Sequence, residues 1–226
     1  MKITEFFQKG YYINLPSRPE RKARFEQEMT RAGLGGFFEW SPGVSDMERA
    51  RAAQPHEKEY VHRGLCCSKA FYNVFQKIKD SGVERAVVFE DDAKIEPEGL
   101  RLVESALDQL QSFPNWDMIY FGGLVIDNKV ERVSENLVRA NTILTLHAVG
   151  YNKKCIDHLL TYVPYRDCIY DGWIGDHHNL EKYIVYPMAM TQHEGPSDID
   201  VSGNALTANH WKSAYNKLEH ALQPNK

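Results

Sequence analysis

The 226-residue sequence is short of several things, and each shortage counts against a class of protein. It has no surplus of cations: 27 Lys and Arg stand against 31 Asp and Glu, a formal net charge of −4. Nucleic acid is therefore not the expected main partner, because phosphate binding needs clustered Lys and Arg. No apolar run approaches the roughly 20 residues of a membrane-spanning helix. The first residues, MKITEFFQKGYYINL, show neither a signal-peptide core nor a cleavage pattern. The expected location is cytoplasmic, with at most a peripheral contact at the inner face of a membrane. Only four cysteines are present, Cys66, Cys67, Cys155 and Cys168, with no CxxC pair and no zinc spacing, so they read as reduced thiols. A Gly-rich P-loop and a GxGxxG turn are both missing, which counts against the common nucleotide folds built on them. No repeat, low-complexity segment or interdomain linker stands out.

What is present is an alternation of strand and helix patterns. YYINL (11–15) is strand-like and is followed by SRPERKARFEQEMTRAG, where Ser17 and Glu20 have capping-box spacing and Phe25, Met29 and Ala32 repeat at helical spacing. FFEW (37–40) reads as a second strand, and 46–62 as a short helix and loop. A helix over 64–79 presents Cys67, Phe71, Val74, Phe75 and Ile78 on one face, with Gly82 past its end. The β-branched run ERAVVFE follows, then a helix marked by Leu100, Val103, Leu107 and Leu110, then the strand WDMIYFGG. Beyond Gly123 the segments KVERV, LVRA and TILTLHAV are strand-like without long helices between them. A helix from Lys153 and a last strand YIVYP (183–187) complete the order. The expected fold is α/β, a mostly parallel sheet flanked by helices with a mixed C-terminal half. Residues 1–204 form one domain in this reading, and 205–226 a helical tail.

VVFEDDAKI (87–95) carries the strongest chemical signal. An apolar strand runs into Glu90, Asp91 and Asp92, three adjacent carboxylates that repel one another. Acidic runs are commonly solvated turns. Here they end a strand that is apolar on both faces, and ligands of open α/β sheets bind beyond the carboxyl ends of the strands. A divalent cation, Mg²⁺ or Mn²⁺, would neutralise the cluster with hard oxygen ligands. Strand alternation points Glu90 and Asp92 to one side and Asp91 away.

Taken in order, several segments resemble glycosyltransferase family 25, the lipooligosaccharide β-galactosyltransferases and procollagen galactosyltransferases. They are Tyr12–Leu15 with Arg18, Arg21 and Arg24 after it, GLCCSK (64–69), FEDD (89–92), Trp116 to Gly122, His147–Ala148 ahead of Leu159–Leu160, Asp171 in YDGW, and Pro187, Gln192, Ser197, Asp198 and Ile199. Each is weak alone; their shared order over about residues 11–200 carries the resemblance. Departures are Leu65 and Lys69, where the family has Cys and His, and Val149.

The resemblance implies a GT-A fold and a UDP-sugar donor, with lipopolysaccharide or collagen glycosylation as the settings of the family's members. Its acidic motif implies Asp92 as first metal ligand, helped by Glu90, with His193 as a third. Ile13, Asn14 and Leu15 would meet the nucleotide, with Glu90 and Asp91 near the ribose or metal. Arg18, Arg21 and Lys69 would meet the phosphates. An inverting transfer needs one general base, expected to be Asp171, with Asp176 and Asp198 in reserve. Gly122, Gly123, His147 and Asp198 would face the sugar or acceptor; His147 is equally read as a core histidine. The expected acceptor is a glycan, a lipid-linked saccharide or a protein hydroxyl. The alternatives are a metal-dependent nucleotidyltransferase and a non-catalytic nucleotide-sugar-binding relative.

Overall fold

Apolar residues on both faces of the central strands decide the layering. The protein is described by a computed structural model covering residues 1–126, 130–175, 177–195, 197–199 and 208–223. The chain opens with helix α1 (Ile3–Phe6), strand β1 (Lys9–Asn14) and helix α2 (Pro19–Arg31). Then come β2 (Phe38–Pro42), α3 (Met47–Ala53), the long α4 (Glu59–Ser81), β3 (Arg85–Glu90), β4 (Ala93–Ile95) and α5 (Gly99–Leu110). Strands β5 (Met118–Tyr120), β6 (Leu124–Val125), β7 (Val130–Arg132), β8 (Leu137–Ala140), β9 (Ile143–Leu144) and β10 (Ala148–Asn152) follow. Helices α6 (Lys153–Leu159) and α7 (Tyr170–Gly175), strands β11 (Lys182–Val185) and β12 (Met190–Gln192), and helix α8 (Ala208–Ala221) end the order.

The main sheet runs β2-β1-β3-β10-β5-β11-β8-β7. Strands β2, β1 and β3 are parallel, as are β5 and β11. Strand β10 is antiparallel to β3 and β5, and β8 to β11 and β7. The α/β class and the mixed C-terminal half are as expected. The parallel character is confined to the first three strands and one later pair. The reason is the connections: among the described residues between β5 and β10 no helix is available to carry a parallel crossover.

Val87, Val88 and Phe89 of β3 are fully buried. Val87 and Phe89 pack with Tyr12, with Phe25 and Met29 of α2 and with Val103 and Leu107 of α5. Val88 packs on the other face with Tyr11 and Ile13, with Phe71, Val74 and Phe75 of α4 and with Ile174 of α7. At about 2 kcal/mol for each such side chain, burial on both faces holds β3 in the middle of the sheet. The acids beyond it are therefore delivered to a fixed place.

Several boundaries differ from the sequence reading. Arg18, not Ser17, is the N-cap of α2 and makes no side-chain cap bond, while Pro19 opens the helix. With its fixed φ and no N–H to satisfy, Pro19 starts the helix without the capping box. Helix α4 begins at Glu59, five residues ahead of Gly64, and ends at Gly82 in the left-handed conformation as expected. The strand expected over YIVYP (183–187) is β11, which starts one residue earlier and stops at Val185; a further strand, β12, pairs antiparallel with β4. Helix α8, within the expected tail, sets Trp211, Ala214 and Leu218 into the same apolar cluster as α4 and α7. Among the described residues no helix is long and apolar enough to cross a membrane.

Candidate functional site

Strands β1 and β3 end side by side, with Ile13 opposite Glu90 and the Asp91 N–H donating to the Ile13 carbonyl at 3.1 Å. A cavity of about 480 Å³ opens there. Its wall includes Ile13, Asn14, Leu15, Arg18 and Arg21 from the first strand and turn, and Glu90, Asp91 and Asp92 from the strand end. Arg63, Cys66, Cys67 and Ala70 of α4 and Gln192, Ser197, Asp198 and Ile199 close it. Segments far apart in sequence thus meet at the carboxyl ends of parallel strands, the ligand position of open α/β sheets.

The three acids do not follow strand alternation. Strand β3 stops at Glu90 and residues 91–92 form a turn, so Asp91 does not point away. Asp91 accepts from Asn14 Nδ2 at 2.7 Å and pairs with Arg21. Asp92 pairs with the same Arg21 Nη2 at 2.9 Å and accepts from Gln192 Nε2 at 3.2 Å. Burial pushes the Asp91 carboxyl up to about 6, against the pull of Arg21 and Asn14. Burial likewise holds Glu90 well above the usual carboxylate range, and the charges of Asp92, Asp171 and Asp91 add to it. No described side chain donates a hydrogen bond to Glu90. Arg21 continues to Asp198, donating from Nη1 to Oδ2 at 2.9 Å. Arg18 donates from Nε to Asp198 Oδ1, also at 2.9 Å.

The other expected site residues divide. Lys69 lies off the cavity with its Nζ 4.7 Å from the centre of the Tyr72 ring. The cavity face of α4 is Arg63, Cys66, Cys67 and Ala70, spaced i, i+3, i+4, i+7, and residue 69 is turned off that stripe. His193 does not face the acids: its Nε2 pairs with Glu28 at 2.6 Å, while its backbone N–H donates to the Asp92 carbonyl at 2.7 Å. The Glu28 carboxylate, which also accepts the Ile95 N–H, gives the imidazole a partner away from the cavity. His147 is fully enclosed, with Nδ1 3.2 Å from Thr145 Oγ1 and Trp211 against the ring, so the core-histidine reading holds. Gly122 and Gly123 are buried too. A Cβ on Gly122 would strike the Met190 carbonyl and one on Gly123 the Ile143 side chain, so these glycines admit the chain's own packing rather than a sugar.

Asp171 lies in the first turn of α7 and accepts the Thr145 N–H on Oδ2 at 2.9 Å. It is not part of the cavity wall, yet its charge reaches Glu90, and burial raises its own pKa. Asp198 is held by arginines rather than turned to an acceptor. Asp176 lies outside the described residues. Sequence reasoning missed Arg63, Glu28 and the 43–47 turn. The helical spacing of Arg63 with Cys67 and Ala70 was the available signal.

The donor set suits a divalent cation shared with a ligand. Among the described residues no group of three or more His, Cys, Asp or Glu side chains is arranged to hold a metal unaided. Asp92 and Glu90 are neighbours: Asp92 is the largest charge acting on Glu90 after burial. One or two carboxylates completed by phosphate oxygens is the usual setting of Mg²⁺ in nucleotide sites. Glu90, raised by burial and without a described donor, is the carboxylate a cation would relieve.

Arginines and carboxylates gathered at the ends of parallel strands define a class, an α/β protein with a cavity lined by both kinds of charge. Comparison with known proteins makes this specific. Residues 7–159 match glycosyltransferase family 25 (LPS biosynthesis protein), and the chain belongs to that family. A glycosyltransferase 25 family member of Aedes aegypti is 29% identical over 165 residues, 67% of this chain and 26% of the relative. Procollagen galactosyltransferase 1 of Danio rerio is 25% identical over 151 residues, 61% of this chain and 25% of the relative. The inactive glycosyltransferase 25 family member 3 of Homo sapiens is 22% identical over 144 residues, 58% of this chain and 24% of the relative. The chain spans about a quarter of the length of these relatives. Among solved structures, UDP-glucose pyrophosphorylase complexed with UDP-glucose is similar with a TM-score of 0.46 and 10% identity, over 94% of this chain and 81% of that one.

Proposed function

We propose that this domain moves a hexose, galactose or glucose, from a UDP-sugar to a hydroxyl of a glycan, lipid-linked saccharide or protein, with inversion and with Mn²⁺ or Mg²⁺. The observation that carries the proposal is the meeting of Asn14, Arg18 and Arg21 with Glu90, Asp91 and Asp92 in one cavity. Asn14 is fixed by bonds to Asp91 and to the Arg18 carbonyl, which holds the first turn open toward a nucleotide. Arg18 and Arg21 present planar donor pairs that match diphosphate oxygens. Asp92 and Glu90 would hold the metal, which supplies charge neutralisation to the departing UDP. Asp171 would take the acceptor proton; burial raises its basicity and the Thr145 N–H fixes its orientation. An acceptor would then approach from the α7 side of Glu90.

A second reading rests on the position of Asp171 outside the cavity wall and on the relative named as inactive. In it the domain binds a nucleotide sugar without turnover. One assay separates the two. The protein is incubated with a panel of UDP-sugars, with and without Mn²⁺, and free UDP is measured. The transferase releases UDP from one sugar only with metal, and Asp92→Ala lowers that release by roughly 100-fold. Saturable binding of the same sugar with no release in either condition would establish the binding module instead. Pyrophosphate released from a nucleoside triphosphate would point to nucleotidyl transfer.

A further inference from the structure

Asp198 is joined to the cavity by more contacts than a loop residue needs. Arg18 holds Oδ1 through Nε at 2.9 Å and also through Nη2, and Arg21 Nη1 holds Oδ2 at 2.9 Å. Arg63 Nη1 donates to the Asp198 backbone carbonyl at 3.1 Å, while its Nη2 reaches Glu59 at 3.2 Å. Three arginines from two helices and a turn thus converge on one residue about 180 positions from the first of them. The donors are not saturated: the Nε–H groups of Arg21 and Arg63 are buried and meet no acceptor among the described residues. Buried unpartnered donors in a cavity call for an explanation, and a ligand with more oxygens than a carboxylate is one.

Charge gives the same direction. The wall carries three arginines, Arg18, Arg21 and Arg63, against four acids, Glu90, Asp91, Asp92 and Asp198. A diphosphate added to that set would find Arg18 and Arg21 already committed to Asp198. With Asp198 displaced, Arg18 and Arg21 are freed toward the diphosphate, and a divalent cation arriving with it offsets the strand-end acids.

We infer that Arg18, Arg21 and Arg63 form a three-arginine clamp for a diphosphate, and that the Asp198 carboxylate occupies this clamp as an internal stand-in which the ligand must displace. This deepens the proposed function and rests on its diphosphate-binding part. It assigns Arg63 to the ligand, and it makes Asp198 a competitor rather than an acceptor-binding group. The opposed account is that Asp198 braces the arginines in their working positions, in which case removing it weakens binding.

The test is calorimetric titration of the protein with inorganic pyrophosphate and with UDP, each with Mg²⁺. Wild type is compared with Asp198→Asn, Asp198→Ser and Arg63→Gln, and folding of each is checked by thermal melting. If the stand-in fills the clamp about nine-tenths of the time, both Asp198 variants bind about tenfold tighter than wild type. Arg63→Gln binds several-fold more weakly. Unchanged or weaker binding in the Asp198 variants overturns the inference, and so does failure of pyrophosphate to bind any variant. Turnover of a UDP-sugar is measured alongside. Turnover without tightening sinks this inference and leaves the function standing. Tightening without turnover sinks the transferase and leaves the clamp.

Discussion

His147 shows how burial changes what a residue type means. Its ring is enclosed by Trp211, Thr145 Oγ1 and the Met190 carbonyl, which lies 3.4 Å from Nε2. Burial lowers its pKa from the ordinary 6.5 to about 4, outweighing the charge of Asp92 and the Met190 bond. A histidine depressed in the fold is neutral there while the unfolded chain already takes up a proton. Its stabilising effect is therefore complete above about pH 6.5 and is lost as pH falls toward 4, by at most about 3 kcal/mol. Urea unfolding at pH 7 and at pH 4.5 measures this. Wild type is expected to lose stability between the two, and His147→Gln to lose about 2 kcal/mol less over the same interval. Equal losses would refute the assignment.

At the scale of elements, helix α7 has six residues, too short to be stable on its own. It is held from both ends. Ser68 Oγ of α4 accepts the Tyr170 N–H at 2.9 Å. The buried Lys182 of β11 donates from Nζ to the Ile174 carbonyl at 2.7 Å and to the Asn141 carbonyl at 2.8 Å. A cation on the last carbonyls of a helix also favours its dipole. The orientation of Asp171 thus depends on residues outside the cavity. Lys182→Met leaves buried carbonyls without that donor and is expected to cost about 2 kcal/mol. Hydrogen exchange of 170–175 should quicken more than that of β3, and uniform quickening would show that Lys182 serves the sheet rather than the helix.

At the scale of the molecule, the C-terminal helix joins the core that supports the site. Trp211 of α8 lies with its ring centre 5.1 Å from that of His147, and the His147 carbonyl accepts the Glu90 N–H at 2.8 Å. Loss of the indole leaves a cavity beneath the strand end that carries the acids. Trp211→Ala is expected to destabilise the protein by about 3 kcal/mol in urea unfolding. A loss under 1 kcal/mol would mean that α8 contributes little to the fold.

Much of this was legible in the residues. The 3.6-residue spacing of Phe25 and Met29, the apolar run of β3 and the turn after YYINL placed the elements around Ile13, Asn14, Leu15, Arg18, Arg21 and the three acids. These were readable because their chemistry and their local pattern agree, and local pattern is set by backbone geometry along one segment. The surroundings of Lys69, His193, Gly122 and Gly123, and which of the two readings of His147 holds, were not legible. Their roles depend on which distant group faces them: Tyr72 for Lys69, Glu28 for His193, Trp211 for His147, and Met190 and Ile143 for the glycines. Arg63 and the grip on Asp198 belong to the same kind, since contacts between segments over a hundred residues apart come only from packing. The sequence alone determined that an acidic strand end follows a basic turn. Only the tertiary structure decided that Arg21 sits between Asp91, Asp92 and Asp198, because that position is set jointly by α2, β3 and the chain after β12.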